Sequence, residues 1–189
     1  MKTIATTKYL EFKSAKSPSN HDWCYVKRTN DSSFHDSAVA ITTLIKINNE
    51  YNFLFLKTKR PPLYAENKAL FCLESPAGLI GDVNKKEDLI ECTKKELLEE
   101  TGYCADEIYI ELTNCCTSAG LSSETLTFVT AIINDDKIVS QPMNDGGIIL
   151  ERIFIPVKDV KTFLNNLNKE EYSIAAATIC GIFYALNRI

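Results

Sequence analysis

Histidine and tryptophan are scarce in this 189-residue chain: His21, His35 and Trp23 are all it has of either. Two histidines near one end leave little for a His-rich metal centre or a Ser/His/Asp nucleophile, and no G-x-S-x-G elbow occurs. A Walker loop and a G-x-G-x-x-G turn are also missing. The cysteines are Cys24, Cys72, Cys92, Cys104, Cys115, Cys116 and Cys180. Their number is odd and no two form a C-x-x-C pair, which argues against a secreted disulfide framework and against a zinc site built on such pairs. Reduced, mostly buried thiols in a cytoplasmic protein are expected instead. Met1–Ala5 lacks the apolar core of a signal peptide. No apolar run reaches the ~18 residues of a membrane span. Charge of neither sign dominates: Lys+Arg 21 against Asp+Glu 25 leaves −4, which gives no general attraction to nucleic acid or to an anionic membrane.

What is present suits a globular protein, with 45% apolar and 24% charged residues. The length predicts one compact unit with a sizeable core. Short strands are expected at Lys8–Lys13 and Trp23–Lys27 in a polar N-terminal stretch. Ala38–Ile45, the Asn48-Asn49 turn and Tyr51–Leu56 read as a hairpin. Arg60-Pro61-Pro62 ends its second strand, since two prolines remove two backbone donors. Ala69–Glu74 is a further strand, and Pro76-Ala77-Gly78 opens a loop. Glu87–Thr101 reads as a helix, free of Gly and Pro and stopped by Gly102. Strands follow at Glu107–Leu112, Thr125–Ile133 and Ile148–Ile155. Helices near Val157–Leu167 and Lys169–Asn187 close the chain, the last with an apolar face of Ile174, Ala177, Ile179, Cys180, Phe183 and Leu186. This order predicts an α+β fold, an α/β/α sandwich with a mixed sheet between helices.

Within the first long helix, Glu96, Glu99 and Glu100 stand at i, i+3 and i+4, so their carboxylates share one face. Segment Lys85–Glu100 carries six acids against four lysines. Converging carboxylates cost helix stability, and a hard divalent cation would reverse that cost. A merely solvated acidic face is the alternative.

The spacing of Gly81, Glu87, Lys95-Glu96-Leu97-Leu98-Glu99-Glu100 and Gly102-Tyr103 resembles the Nudix box, G-x5-E-x7-R-E-U-x-E-E-x-G-U with U apolar. Six Gly and Glu positions match, a coincidence of roughly 10⁻⁵ from average usage. Lys95 stands where the box has Arg; it keeps the charge but loses the planar fork. Glu74 to Ile80, E-x-P-A-G-L-I, is similar to the ADP-ribose pyrophosphatase-like branch of the family, the nucleoside-diphosphate-sugar hydrolases. In that branch the box glycine belongs to the P-A-G triplet. Either Gly81 fills that position, or Gly78 does and the loop carries a three-residue insertion; the E-x-P-A-G-L-I match favours the insertion.

The resemblance extends further. Trp23–Arg28, Arg60-Pro61-Pro62, Thr117–Ser122 and Glu170–Asn187 are similar to the branch's W-x-x-V-K-R, R-P-P, S-P-G-L/F-S and last-helix segments. It implies a Nudix domain over 36–189 and a small N-terminal β extension over 1–35 that pairs two chains into a homodimer. It implies Mg²⁺, with Mn²⁺ as a substitute, held by Glu96, Glu99, Glu100 and the carbonyl of Ala77. The same glutamates would be catalytic, Glu87 and Lys95 would orient them, and Gly78, Gly81 and Gly102 would shape the box. Substrate binding would fall to Trp23, Arg28, Arg60, Ser118 and Gly120. Physically, Trp23 offers either a stacking face for a base or a core anchor, and the arginines offer bidentate bonds to phosphate. A further acid is sought among Asp145, Glu151 and Glu124, each of which is equally readable as a solvated side chain. The implied reaction is hydrolysis of the pyrophosphate of a nucleoside diphosphate sugar, ADP-ribose first. Ala119, where ADP-ribose members carry Pro, keeps a UDP-sugar such as UDP-glucose open. A binding module that does not cleave its ligand is the alternative of another class.

Overall fold

The computed structural model describes residues 1–29, 37–81, 87–143 and 148–189. Residues 1–29 form an antiparallel sheet of their own, β1 (Lys2–Thr6), β2 (Leu10–Lys16) and β3 (Asp22–Arg28). The expected boundary at 35/36 lies outside the described residues. Strand β1 has no counterpart among the expected elements: it is exposed throughout, so no burial pattern marks it.

The central sheet is mixed. Its backbone order is β11 (Tyr172–Ile174), β6 (Phe71–Glu74), β5 (Glu50–Thr58), β4 (Ser37–Ile47), β9 (Thr125–Ile133) and β8 (Glu107–Cys116). β10 (Ile149–Pro156) also pairs with β5, and β7 (Ala77–Leu79) with β4. β4/β9 and β6/β11 are parallel, the other pairs antiparallel. Asn48 and Asn49 turn the β4–β5 hairpin with φ of 51° and 65°, a left-handed geometry that Asn tolerates better than most residues.

Helices cover both faces. On one, Cys92 and Leu97 of α2 (Leu89–Thr101) pack on Val39, Ile41, Leu54, Leu56 and Val129. On the other, Val160 of α3 (Val160–Asn166) and Ile182 and Ala185 of α4 (Ala176–Ala185) pack on Leu44, Phe53, Phe55 and Leu73. Burying each of the Val, Leu, Ile and Phe side chains stabilises the fold by about 1.5–3 kcal/mol.

Several expectations need correction. Pro61 and Pro62 do more than end β5: they start a short helix α1 (Pro61–Ala65), where a missing N–H costs nothing. Ala77-Gly78-Leu79 is a strand, not a loop, because it pairs with Ala38–Ala40 of β4. The segment 169–187 is not one helix: Tyr172–Ile174 joins β6 before α4 begins. The buried side of α4 is Thr178, Gly181, Ile182 and Ala185, while Ile179 and Phe183 are exposed. α4 crosses β4 so closely that a Cβ on Gly181 would stand 1.8 Å from Thr42 Oγ1. Close approach selected small residues for the interface. The thiols are also not mostly buried: Cys72 and Cys92 are, Cys115 is half-buried, and Cys24, Cys104, Cys116 and Cys180 are exposed.

Candidate active site

The site is organised by α2. Asp88 caps its N-terminus through a capping box: its carboxylate accepts from Glu91 N at 2.8 Å, and Glu91 accepts from Asp88 N at 3.2 Å. Gly102 ends the helix at φ 79°, a left-handed cap that glycine adopts without strain. Arg152 of β10 donates to the Thr101 carbonyl at 2.6 Å and lies over the Tyr103 ring. This places a cation at the negative end of the helix. Sequence reading missed Arg152, since its partner is distant in sequence and belongs to no motif.

Strand β7 lies against the helix. A Cβ on Gly78 would fall 2.0 Å from Glu96 Cδ, so only glycine lets the Glu96 carboxylate rest on this strand. One residue earlier, Ala77 N–H donates to Glu100 at 2.9 Å. Burial pushes the Glu100 carboxyl up to about 8; the Ala77 bond pulls it down, and the charge of Glu96 raises it further. Glu74, at the end of β6, accepts from Arg60 at 2.7 and 2.8 Å and from Thr58 at 3.0 Å. Burial opposes the Arg60 charge, but Glu74, and more weakly the field of Glu100, outweigh it and hold the guanidinium above its ordinary range. Glu74, Glu96, Glu100 and Arg60 are thus one interacting group.

Glu87 is buried. It accepts from Gly81 N–H at 3.1 Å and pairs with Lys95 Nζ at 3.3 Å. Gly81 takes φ 75° there. Lys95 also reaches Glu96 at 3.2 Å, so one ammonium serves two carboxylates. The two glycines therefore act on different carboxylates. Gly78 gives Glu96 room, and Gly81 turns its amide to Glu87.

No family model and no curated protein sequence matches the chain. Solved structures do. The NUDIX domain of Shewanella oneidensis NrtR, crystallised with ADP ribose, matches with a TM-score of 0.58 at 17% identity, over 80% of this chain and 86% of that one. An ADP compounds hydrolase matches with a TM-score of 0.59 at 14% identity, over 99% of this chain and 90% of that one. The chain has the Nudix fold.

Around this Nudix core the other expected residues scatter. Trp23 is 54% exposed, which removes the core-anchor reading, and its Nε1–H donates to the Gly120 carbonyl at 2.9 Å. The Ser118 carbonyl accepts from Leu121 and Ser122 N–H at 2.9 Å, closing the turn that carries Gly120. Arg28 and Glu124 are brought together at 2.6 Å, so each has a partner that the sequence did not show. Glu151 is exposed and, with Glu100, Pro142, Met143 and Arg152, lines a cleft of about 150 Å³. Asp145 lies outside the described residues. A cavity of about 480 Å³ between the end of β10 and α3 contains none of the box residues.

The groups that the resemblance to the Nudix box points to offer only oxygen: the carboxylates of Glu96, Glu99 and Glu100 and the carbonyl of Ala77. Hard divalent cations take such donors. A half-buried, poorly solvated Glu100 beside Glu96 is a cost that a positive ion would reverse. The donors therefore fit Mg²⁺ chemically. In the present arrangement no group of three or more His, Cys, Asp or Glu side chains among the described residues is spaced to hold an ion. The carboxylates would have to turn toward one another, and Glu96 away from Lys95.

Proposed function

We propose that the protein hydrolyses the pyrophosphate of a nucleoside diphosphate sugar with the help of Mg²⁺, ADP-ribose giving AMP and ribose 5-phosphate. The observation that carries this reading is the gathering of Glu74, Glu96 and Glu100 with Arg60 beside β7. The two structural neighbours, one bound to ADP ribose and one a hydrolase of ADP compounds, support the substrate class.

Glu96, Glu99 and Glu100 with the Ala77 carbonyl would hold the cation, which would neutralise the diphosphate and acidify water when bound. Arg60 orients a phosphate by parallel N–H bonds once it shares its guanidinium with Glu74. Glu100 holds a proton on its carboxyl near neutral pH when no cation is present; a charge that lowers its affinity for that proton makes the same oxygen an acceptor. Glu99 positions the attacking water. Glu87 and Lys95, paired at 3.3 Å, steady the roll of α2 that brings Glu96 and Glu100 onto β7. Trp23, exposed above the Gly120 turn, offers its ring to the base.

One observation favours a second reading, a binding module: Lys95 already neutralises Glu96 at 3.2 Å, as a cation would. Ala119 keeps UDP-glucose as an alternative substrate. The test is product analysis of the purified chain with ADP-ribose and with UDP-glucose, with and without Mg²⁺, beside Glu100→Gln. Metal-dependent AMP that disappears in the variant is the expected result. UMP in its place moves the specificity to UDP-sugars. Binding of either compound with no product favours the module.

A further inference from the structure

Cys115 and Cys116 form an adjacent pair that the proposed chemistry does not use, and Cys180 is an exposed thiol on α4. Strand register shows which of the pair meets that helix. On β9, Val129, Ala131 and Ile133 face α2. The alternate residues Leu126, Phe128 and Thr130 therefore face α4, and Phe128 does meet Tyr184 there, with ring centroids 6.4 Å apart. Cross-strand partners share a face. Tyr109 pairs with Thr130 and Cys115 with Leu126, while Cys116 pairs with Thr125 on the opposite side. The two bulges in β8 cancel in parity, so Cys115 returns to the face of Tyr109.

The axial position of Cys180 follows from the same contacts. Cys180 and Tyr184 stand at i and i+4, one stripe of α4, and Arg188 follows the end of the helix at Ala185. Arg188 binds Glu111 at 2.8 and 3.0 Å and lies 4.2 Å from the Tyr109 ring. Tyr184 sits on Phe128. Going back along the stripe from Tyr184 to Cys180 covers about 6 Å. Going from Phe128 to Leu126, the partner of Cys115, covers about 7 Å along β9. This register brings Cys180 toward Cys115.

We propose that Cys115 and Cys180 form a dithiol site that closes to a disulfide by exchange with a small-molecule disulfide, fastening α4 to the edge strand β8. Burial raises the Cys115 thiol, and the neighbouring Cys116 and Cys180 raise it further, which agrees with that placement. Cys180, being exposed, attacks first: its sulfur bonds to one sulfur of the reagent and the other leaves as a thiolate. The Cys115 Sγ, released from the Thr113 carbonyl it contacts at 3.7 Å, then attacks the Cys180 sulfur and expels the second thiolate. Two cysteine thiols lose two protons and two electrons, and one reagent disulfide becomes two thiols. The inference is independent of the hydrolase reading. It gives the chain a covalent link between α4, whose Thr178 hydroxyl holds Ser75 N–H at 2.8 Å beside β7, and the far edge of the sheet.

The test uses the full reduced chain, exchanged against oxidised glutathione, blocked with iodoacetamide under denaturing conditions and mapped by mass spectrometry. The expected product is a peptide pair joining Cys115 to Cys180, with a loss of about 2 Da from the intact mass and a higher melting temperature that dithiothreitol reverses. Cys180→Ser, at an exposed position, abolishes all three signals; Cys116→Ser leaves them. A Cys115–Cys116 link, glutathione adducts without any internal link, or a link that survives in Cys180→Ser would each overturn the proposal.

Discussion

Under α2 the sheet buries Glu87, Thr93, Glu96 and Thr101 beside Leu97; under α4 it buries Phe53, Phe55, Leu73 and Ile182, with Thr178 and Gly181 letting the backbones close in. The α2 face keeps carboxylates where solvation is poor and uses Lys95, Arg60, Arg152 and the amides of Ala77 and Gly81 to neutralise or orient its polar groups. The α4 side carries one such group, Glu111, whose side chain is as buried as that of Glu87 and is paired with Arg188 at 2.8 Å. A charged group buried beside like charges costs free energy, so the face that holds the reactive groups depends on the other for stability.

The sharpest test of this division is Glu100→Gln. It should lower Mg²⁺-dependent hydrolysis by roughly 10²- to 10⁴-fold without loosening the fold; a surviving rate in the product assay would take Glu100 out of the chemistry. Next come matched truncations. Leu97→Ala and Ile182→Ala should each cost about 2–5 kcal/mol in urea unfolding, but only Leu97→Ala should also depress kcat, since only α2 carries the carboxylates. Equal effects on kcat would erase the contrast. Gly78→Ala drives a methyl into Glu96, and a misplaced carboxylate should cost up to about 100-fold in rate; the crystal structure of the variant would show Glu96 displaced.

The pH dependence has a definite sign. Glu100 titrates near 8 when folded, against 4.5 as its ordinary value. The folded, metal-free chain therefore binds more protons than the unfolded one between these limits. The stability from this group is full below about pH 4.5 and is lost as pH rises through about 8, by on the order of a few kcal/mol. Chemical unfolding at stepped pH should show the decline in EDTA, and Glu100→Gln should flatten it. The smallest effect is expected from Arg152→Ala, about 1 kcal/mol through the end of the helix dipole, read as a lower melting temperature with KM unchanged.

Local chemistry made α2 readable. The run without Gly or Pro and the Gly102 stop placed the helix within two residues, because the Asp88 cap and the glycine act over one turn. Asn48-Asn49 marked the hairpin for the same reason. The two misread strands share one cause, a partner remote in sequence. Tyr172–Ile174 becomes a strand because β6 offers an edge there, and three residues are too few for periodicity to separate helix from strand. Ala77–Leu79 becomes a strand because β4 lies beside it. In the site, the i, i+3, i+4 spacing and the box brought out Glu96, Glu99 and Glu100, whereas Arg28–Glu124 and Arg152–Thr101 join segments that no spacing rule connects.

The N-terminal sheet meets the Nudix core through Trp23 on Gly120, Val26 with Leu121, Ser122 and Ser123, and Arg28 on Glu124. All of these ties land on one five-residue stretch between β8 and β9. Among the described residues these bonds converge on one mount: a load on the outer sheet, whether a base stacked on Trp23 or a second chain, reaches the core through residues 120–124, and a change to that stretch alters all of them at once.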